Sequence, residues 1–122
     1  MARILVVTDE TWVRNEVHSG LSSADNELID HRDPATAAAT AAAEGVEAVV
    51  VDLQISAMGG MAVTRSIRDM SDLERAIPVV LLLDRAADTF LAGRSGANAW
   101  VVKPFSAREL RDALATAVSA PA

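Results

Sequence analysis

Ala48-Val49-Val50-Val51-Asp52 decides the fold: four apolar residues, three of them β-branched, closed by an acid. A short continuous apolar run of this kind reads as a strand buried on both faces, the mark of a parallel sheet. Open α/β sheets place their sites at the C-terminal edge of such strands, which is where Asp52 falls. Two further runs repeat the pattern. Ile4-Leu5-Val6-Val7 leads into Thr8-Asp9-Glu10, and Ala99-Trp100-Val101-Val102 leads into Lys103-Pro104-Phe105. Two carboxylates and one ammonium are therefore expected at one edge of one sheet.

Outward from these runs, strand-like and helix-like segments alternate, which predicts an α/β fold with a doubly wound, five-stranded parallel sheet and helices on both faces. Strands are expected over residues 3–7, 27–32, 48–52, 78–83 and 99–102. The first helix carries Val13, Val17 and Leu21 as a one-sided stripe. Asp33-Pro34 opens an alanine-rich second helix that runs to Glu44-Gly45 and packs thinly for want of large side chains. A third helix follows Gly59-Gly60, with Met61, Val63, Ile67 and Met70 as apolar contacts. A short fourth helix lies between Asp84 and Gly96. The last begins with a capping box, Ser106 and Glu109, and presents Leu110, Leu114 and Val118 on one face. One domain over residues 1–118 is expected, with a frayed tail over 119–122 and no output module.

Bulk composition narrows the function. The 122 residues are 51% hydrophobic with a mean hydropathy of +0.23, yet no apolar stretch approaches the ~20 residues of a membrane helix. Nothing at the start reads as a leader, so a cytoplasmic, unexported protein without membrane insertion is expected. Zero cysteines exclude disulfides, thiol catalysis and thiolate metal sites, and two histidines, His18 and His31, are too few for a histidine cluster. A net charge of -6 and an isoelectric point near 4.7 argue against direct binding of nucleic acid. A basic protein surface or a divalent cation suits this balance better.

Two carboxylates held close together repel unless a cation lies between them. Mg²⁺ is the natural cation, since it takes one or two protein carboxylates together with water and a phosphate. Asp9 and Asp52 can supply those carboxylates, with Glu10 a lesser candidate. A carboxylate can also attack phosphorus to form an acyl phosphate, and phosphoryl transfer needs its equatorial oxygens neutralised. Mg²⁺ on one side and Lys103 on another would do that. Proline after Lys103 biases the lysine to extended geometry and tolerates a cis peptide bond, which can aim it over the sheet edge.

These residues resemble a bacterial response-regulator receiver domain over nearly the whole chain. The likeness is carried by Ile4-Leu5-Val6-Val7-Thr8-Asp9-Glu10, by Val50-Val51-Asp52 with Met58-Gly59-Gly60, by Ile77-Pro78-Val79-Val80, and by Gly96-Ala97 through Lys103-Pro104-Phe105. The resemblance implies a flavodoxin-like strand order, 2-1-3-4-5. It implies Asp52 as phosphoacceptor, Asp9 as direct Mg²⁺ ligand, the Gln54 backbone carbonyl as a third ligand and Lys103 as phosphate contact. Trp100 falls where the family carries a rotameric aromatic switch, and it reads equally as strand packing. Partners implied are a sensor histidine kinase or phosphotransfer protein and a separate downstream protein, with homodimerisation through the fourth helix, fifth strand and fifth helix as a further option.

Four positions depart from the family pattern. Thr8 stands in place of the first acid of the acidic pair, which weakens the expected hold on Mg²⁺. Ser56 replaces a proline and Gly59 an Asp or Asn, which predicts a looser loop after Asp52. At the end of the fourth strand, Leu83 takes the place of the phosphate-binding hydroxyl, and Asp84 that of a small residue. If Asp84 points inward, like charges ~4 Å apart cost on the order of 4 kcal/mol at an effective dielectric of about 20, enough to slow phosphorylation. The segment from Leu83 to Lys103 is short for the family, which predicts an abbreviated fourth helix. Two functions are open to such a site: a stand-alone phosphorylated receiver, catalysing at most its own phosphotransfer and dephosphorylation, or a phosphate-independent adaptor. A small hydrolase or flavodoxin-like cofactor binder is disfavoured because Thr8-Asp9-Glu10-Thr11 lacks the glycines of a phosphate-cradling loop.

Overall fold

The apolar runs become five strands in the computed structural model, which describes residues 2–22, 25–70 and 76–119. They are β1 (Ala2–Val7), β2 (Asn26–His31), β3 (Ala48–Asp52), β4 (Val79–Leu83) and β5 (Ala99–Val102). All pairings are parallel and the order is β2-β1-β3-β4-β5. This is the expected flavodoxin-like sheet, with the limits of β1, β2 and β4 moved by one residue. Every residue of β3 and β4 is buried, as their unbroken apolar runs require.

Alternation along the strands sorts the core into two layers. Leu5, Val7, Val49, Val51, Leu81 and Leu83 face α2 (Ala37–Glu44), α3 (Gly59–Met70) and α4 (Thr89–Ser95). Ile4, Val6, Val50, Val80 and Leu82 face α1 (Thr11–Leu21) and α5 (Ala107–Ser119). Helix α1 buries Val13, Val17 and Leu21 as its stripe predicts. Helix α2 is preceded by a 3-10 turn over Pro34–Thr36, which Asp33 caps through the Ala35 N–H at 3.0 Å. It buries only alanines and ends at Gly45, whose φ of 61° is the left-handed geometry that glycine takes freely. The capping box of α5 forms in both directions: the Glu109 N–H donates to Ser106 Oγ at 3.0 Å and the Ser106 N–H to Glu109 Oε1 at 3.1 Å. Helix α4 is short, as expected, with seven residues after a 3-10 turn at Ala86–Asp88.

Two helix faces differ from the sequence reading. Helix α5 buries Leu110, Ala113 and Ala117, leaves Leu114 half-buried and exposes Val118. The inner face of α5 follows the i, i+3, i+7 spacing of Leu110, Ala113 and Ala117, which leaves Leu114 at its margin and turns Val118 outward. Met70, expected as a contact, is exposed on the last turn of α3. Ser119 belongs to α5 rather than to a tail, and residues 120–122 lie outside the described residues.

The join between β3 and α3 is the tightest backbone approach at the sheet edge. An ideal Cβ on Gly60 would stand 2.6 Å from the Asp52 carbonyl oxygen and 2.6 Å from Leu53 Cα. The Gly60 N–H meanwhile donates to the Leu53 carbonyl at 3.0 Å. The helix start is therefore pressed against the strand end that carries Asp52. Gly60→Ala should destabilise the protein by about 1–3 kcal/mol through overpacking, despite the about 1 kcal/mol that alanine otherwise gains over glycine inside a helix. Urea denaturation checks this, and an unchanged or raised midpoint would show that the contact yields without cost.

Candidate functional site

Strand register brings four polar side chains together. β1 pairs with β3 at Val7 and Val51, so the next step sets Thr8 opposite Asp52. β4 pairs with β5 at Leu83 and Val102, so the next step sets Asp84 opposite Lys103. The Lys103 N–H donates to the Leu83 carbonyl at 2.7 Å, and the Lys103-Pro104 peptide is cis.

Asp52 is fully buried, and each carboxylate oxygen is engaged. Oδ1 accepts from Lys103 Nζ at 2.5 Å and from the Gln54 N–H at 3.1 Å, while Oδ2 accepts from Thr8 Oγ1 at 2.7 Å. A buried carboxylate needs such a set, because desolvation of an ion is repaid only when a partner charge and further hydrogen bonds replace the lost water. The Lys103 side chain is 5% exposed and has a second partner, Asp84 Oδ1, at 3.2 Å. Asp84 thus points inward, and its other oxygen, Oδ2, is buried without a hydrogen bond. The Trp12 ring also approaches the ammonium, its centroid 5.7 Å from Nζ, within cation–π range.

The other candidate residues line the same edge with different partners. Asp9 Oδ2 accepts from the Ser56 N–H at 3.2 Å and from the Ser56 hydroxyl. The loop that was expected to be looser is instead tied to Asp9 by the very serine that replaces proline. Glu10 is exposed and enters through its backbone, whose N–H donates to Thr8 Oγ1 at 3.1 Å. Leu83 is wholly buried in the layer beneath α4 and offers nothing to an anion. Trp100 is half-buried against that layer, its ring 3.9 Å from where a Cβ of Gly93 would lie. It also lines a groove of about 440 Å³ between α4 and α5, with Thr89, Val102, Glu109 and Asp112. His18 and His31 pair with Asp30 and Thr36 at the surface.

Three contacts lay outside the sequence reading: Thr8 to Asp52, Ser56 to Asp9 and Trp12 over Lys103. Each joins residues far apart in sequence, and only Thr8 had a usable signal, since aligning the two apolar runs in parallel sets it beside Asp52. Chemically, one ammonium faces two carboxylates directly. The surplus negative charge suits a divalent cation, and the cation in turn suits a phosphoryl dianion. Among the described residues no three acidic, histidine or cysteine side chains converge on a metal. Asp9, Asp52 and a main-chain carbonyl remain within what Mg²⁺ accepts when water completes its shell. No helix among the described residues is long and apolar enough to cross a membrane.

Known proteins bear on the same edge. The sequence matches the response regulator receiver domain over residues 4–115. It is 34% identical over 110 residues to a probable transcriptional regulator, ycf27, of Cyanophora paradoxa, covering 88% of this chain and 44% of the relative. The chain spans about half the length of the curated relatives it matches, at 44% and 46% for this regulator and for PrrA of Mycobacterium tuberculosis, which is 32% identical. Among solved structures, chemotaxis protein CheY4 of Vibrio cholerae superposes with a TM-score of 0.81 at 25% identity, covering 96% of this chain and 98% of that one. The receiver domain of sensor histidine kinase PA1611 from Pseudomonas aeruginosa, with magnesium coordinated in its active-site cleft, gives a TM-score of 0.83 at 23% identity over 98% of both chains. Sequence and fold agree that this chain belongs to the response regulator receiver domains, the phosphoryl-accepting switches of two-component signalling.

Proposed function

We propose that this receiver takes a phosphoryl group on Asp52 from a phosphohistidine donor and, while carrying it, changes its affinity for a protein target. The observation that carries the reading is the fixed, buried Asp52 carboxylate with Lys103 Nζ at 2.5 Å. An Asp52 oxygen attacks phosphorus in line, the new O–P bond forms as the P–N bond breaks, and the imidazole leaves with the electron pair of that bond. Since both Asp52 oxygens are engaged, the attacking one must first loosen its hold on Lys103 or Thr8. Lys103 then balances charge on the transferred oxygens.

Asp9, Asp52 and the Gln54 carbonyl would hold Mg²⁺, which when bound supplies the remaining neutralisation of the phosphoryl oxygens. Ser56 keeps the Asp9 carboxylate aimed at the edge. Thr8 orients Asp52 without adding the charge that an acid would bring. Groove residues between α4 and α5 are the surface whose shape a target would read.

A second reading has its own support. Asp84 already places an anion on Lys103, as a phosphoryl group would, so the same surface could serve as a phosphate-independent adaptor. Incubation with acetyl phosphate and Mg²⁺, followed by intact mass, separates the two. The acceptor reading expects one added phosphoryl group on the native protein and none on Asp52→Asn. An unlabelled native protein, under conditions that label a sound receiver, removes it, whereas loss of both labelling and target binding in Asp52→Asn removes the adaptor.

Thr8→Asp restores the missing acid beside the site. It should tighten Mg²⁺ binding several-fold, read by Trp12 fluorescence in a metal titration, because a second outer carboxylate adds attraction for the cation. Equal affinity in the two proteins would mean that the hydroxyl had cost the metal site nothing.

A further inference from the structure

Asp84 is an acid at this edge that the phosphoryl chemistry does not use. Its Oδ1 holds Lys103 at 3.2 Å while its Oδ2 is buried with no hydrogen-bond partner. A carboxylate oxygen buried in that way is unfavourable, so the lysine is what keeps the side chain turned inward. The side chain is 31% exposed, so water lies within a rotamer change. Leu83, by contrast, is locked in the core and cannot approach an anion.

We infer that Asp84 is a positioning residue that works by release: it holds Lys103 until a phosphoryl group on Asp52 claims the ammonium, and is then expelled outward, carrying the β4–α4 connection with it. The inference rests on Asp52 accepting the phosphoryl group. Two effects drive the exchange in one direction. The dianion outcompetes a single carboxylate for Lys103, and it repels the carboxylate that has lost its partner. Movement is transmitted locally. Asp84 is followed at once by Arg85, whose N–H and guanidinium bind Asp88 at 3.2 and 3.0 Å, and Asp88 closes the turn that leads into Thr89 at the groove. A hydroxyl at the strand end would be drawn in by a phosphoryl group. Here an acid is driven out.

The test uses the whole chain with Mg²⁺ and beryllofluoride as the phosphoryl analogue, comparing the native protein with Asp84→Ala and Asp84→Asn. Amide resonances of residues 84–89 and thermal midpoints are read for each. Release predicts that beryllofluoride shifts these resonances in the native protein, and that free Asp84→Ala already shows part of that shift. Both variants should bind beryllofluoride roughly tenfold more tightly, within the about 5- to 150-fold range usual for coupled equilibria. Asp84→Asn keeps the side-chain shape without the charge. If it binds beryllofluoride as the native protein does while Asp84→Ala differs, the role is only structural and the inference fails. If all three bind alike and the resonances of residues 84–89 stay still, the inference fails while acceptance on Asp52 stands. Binding and acetyl phosphate labelling absent from native and variants alike overturn both. Labelling of the variants but not of the native protein also overturns both, since Asp84 would then block acceptance on Asp52 rather than give way to it.

Discussion

The ion pair between Asp52 and Lys103 is the interaction on which the remainder of this structure depends. Neither group is more than marginally exposed, and taking two charges from water is repaid only with close geometry and further hydrogen bonds. That requirement explains the surrounding residues one by one. Thr8 and the Gln54 N–H complete the coordination of Asp52, and Trp12 covers the ammonium. The parallel sheet supplies the rigidity: residues from β1, β3, β4 and β5 can meet at a fixed distance only because four strands end at the same edge in one register. Gly60 then lets α3 begin directly against the backbone of Asp52.

The framework was legible in the sequence because its signals are local. Unbroken valine and leucine runs announce buried parallel strands, and Ser106 with Glu109 announces a helix start, whatever lies elsewhere in the chain. Helix faces were less legible. An apolar residue at the fourth position along reads as buried, and in α1 it is, yet in α5 Ala113 and Ala117 occupy the interface while Val118 does not, because hydrophobicity alone does not say whether an i+3, i+7 or an i+4, i+8 stripe faces the sheet. At the site, Asp9, Asp52 and Lys103 could be picked out as charges following apolar runs. Thr8 was read only as a missing acid: aligning the two apolar runs in parallel sets it beside Asp52, but the hydrogen bond itself spans 44 residues and depends on those strands being neighbours. Ser56 shows the same limit: judged locally it loosens a turn that proline would stiffen, and in three dimensions it fastens that turn to Asp9.

The departures from the family pattern form one redistribution of charge. An acid is missing at position 8, where a hydroxyl now bonds Asp52, and an acid is present at position 84, where it bonds Lys103. Negative charge has moved from the side where a cation would sit to the far side of the lysine. Thr8 acts on Asp52 and Asp84 on Lys103, so the two changes meet in one ion pair.

What can move in response is set by how little holds the β4–α4 region. Helix α4 has seven residues, too few to be stable alone, and of these only Ala92 and Ser95 are buried while Phe90 and Leu91 are exposed. Its end is fixed by Gly96 in the left-handed region and its start by the contact of Arg85 with Asp88. Local opening is cheapest where buried apolar contacts are fewest. Strands β3 and β4 are entirely buried and cannot yield in the same way. A change in the partner of Lys103 therefore finds its softest outlet through Asp84 into α4, and so into the groove beside α5.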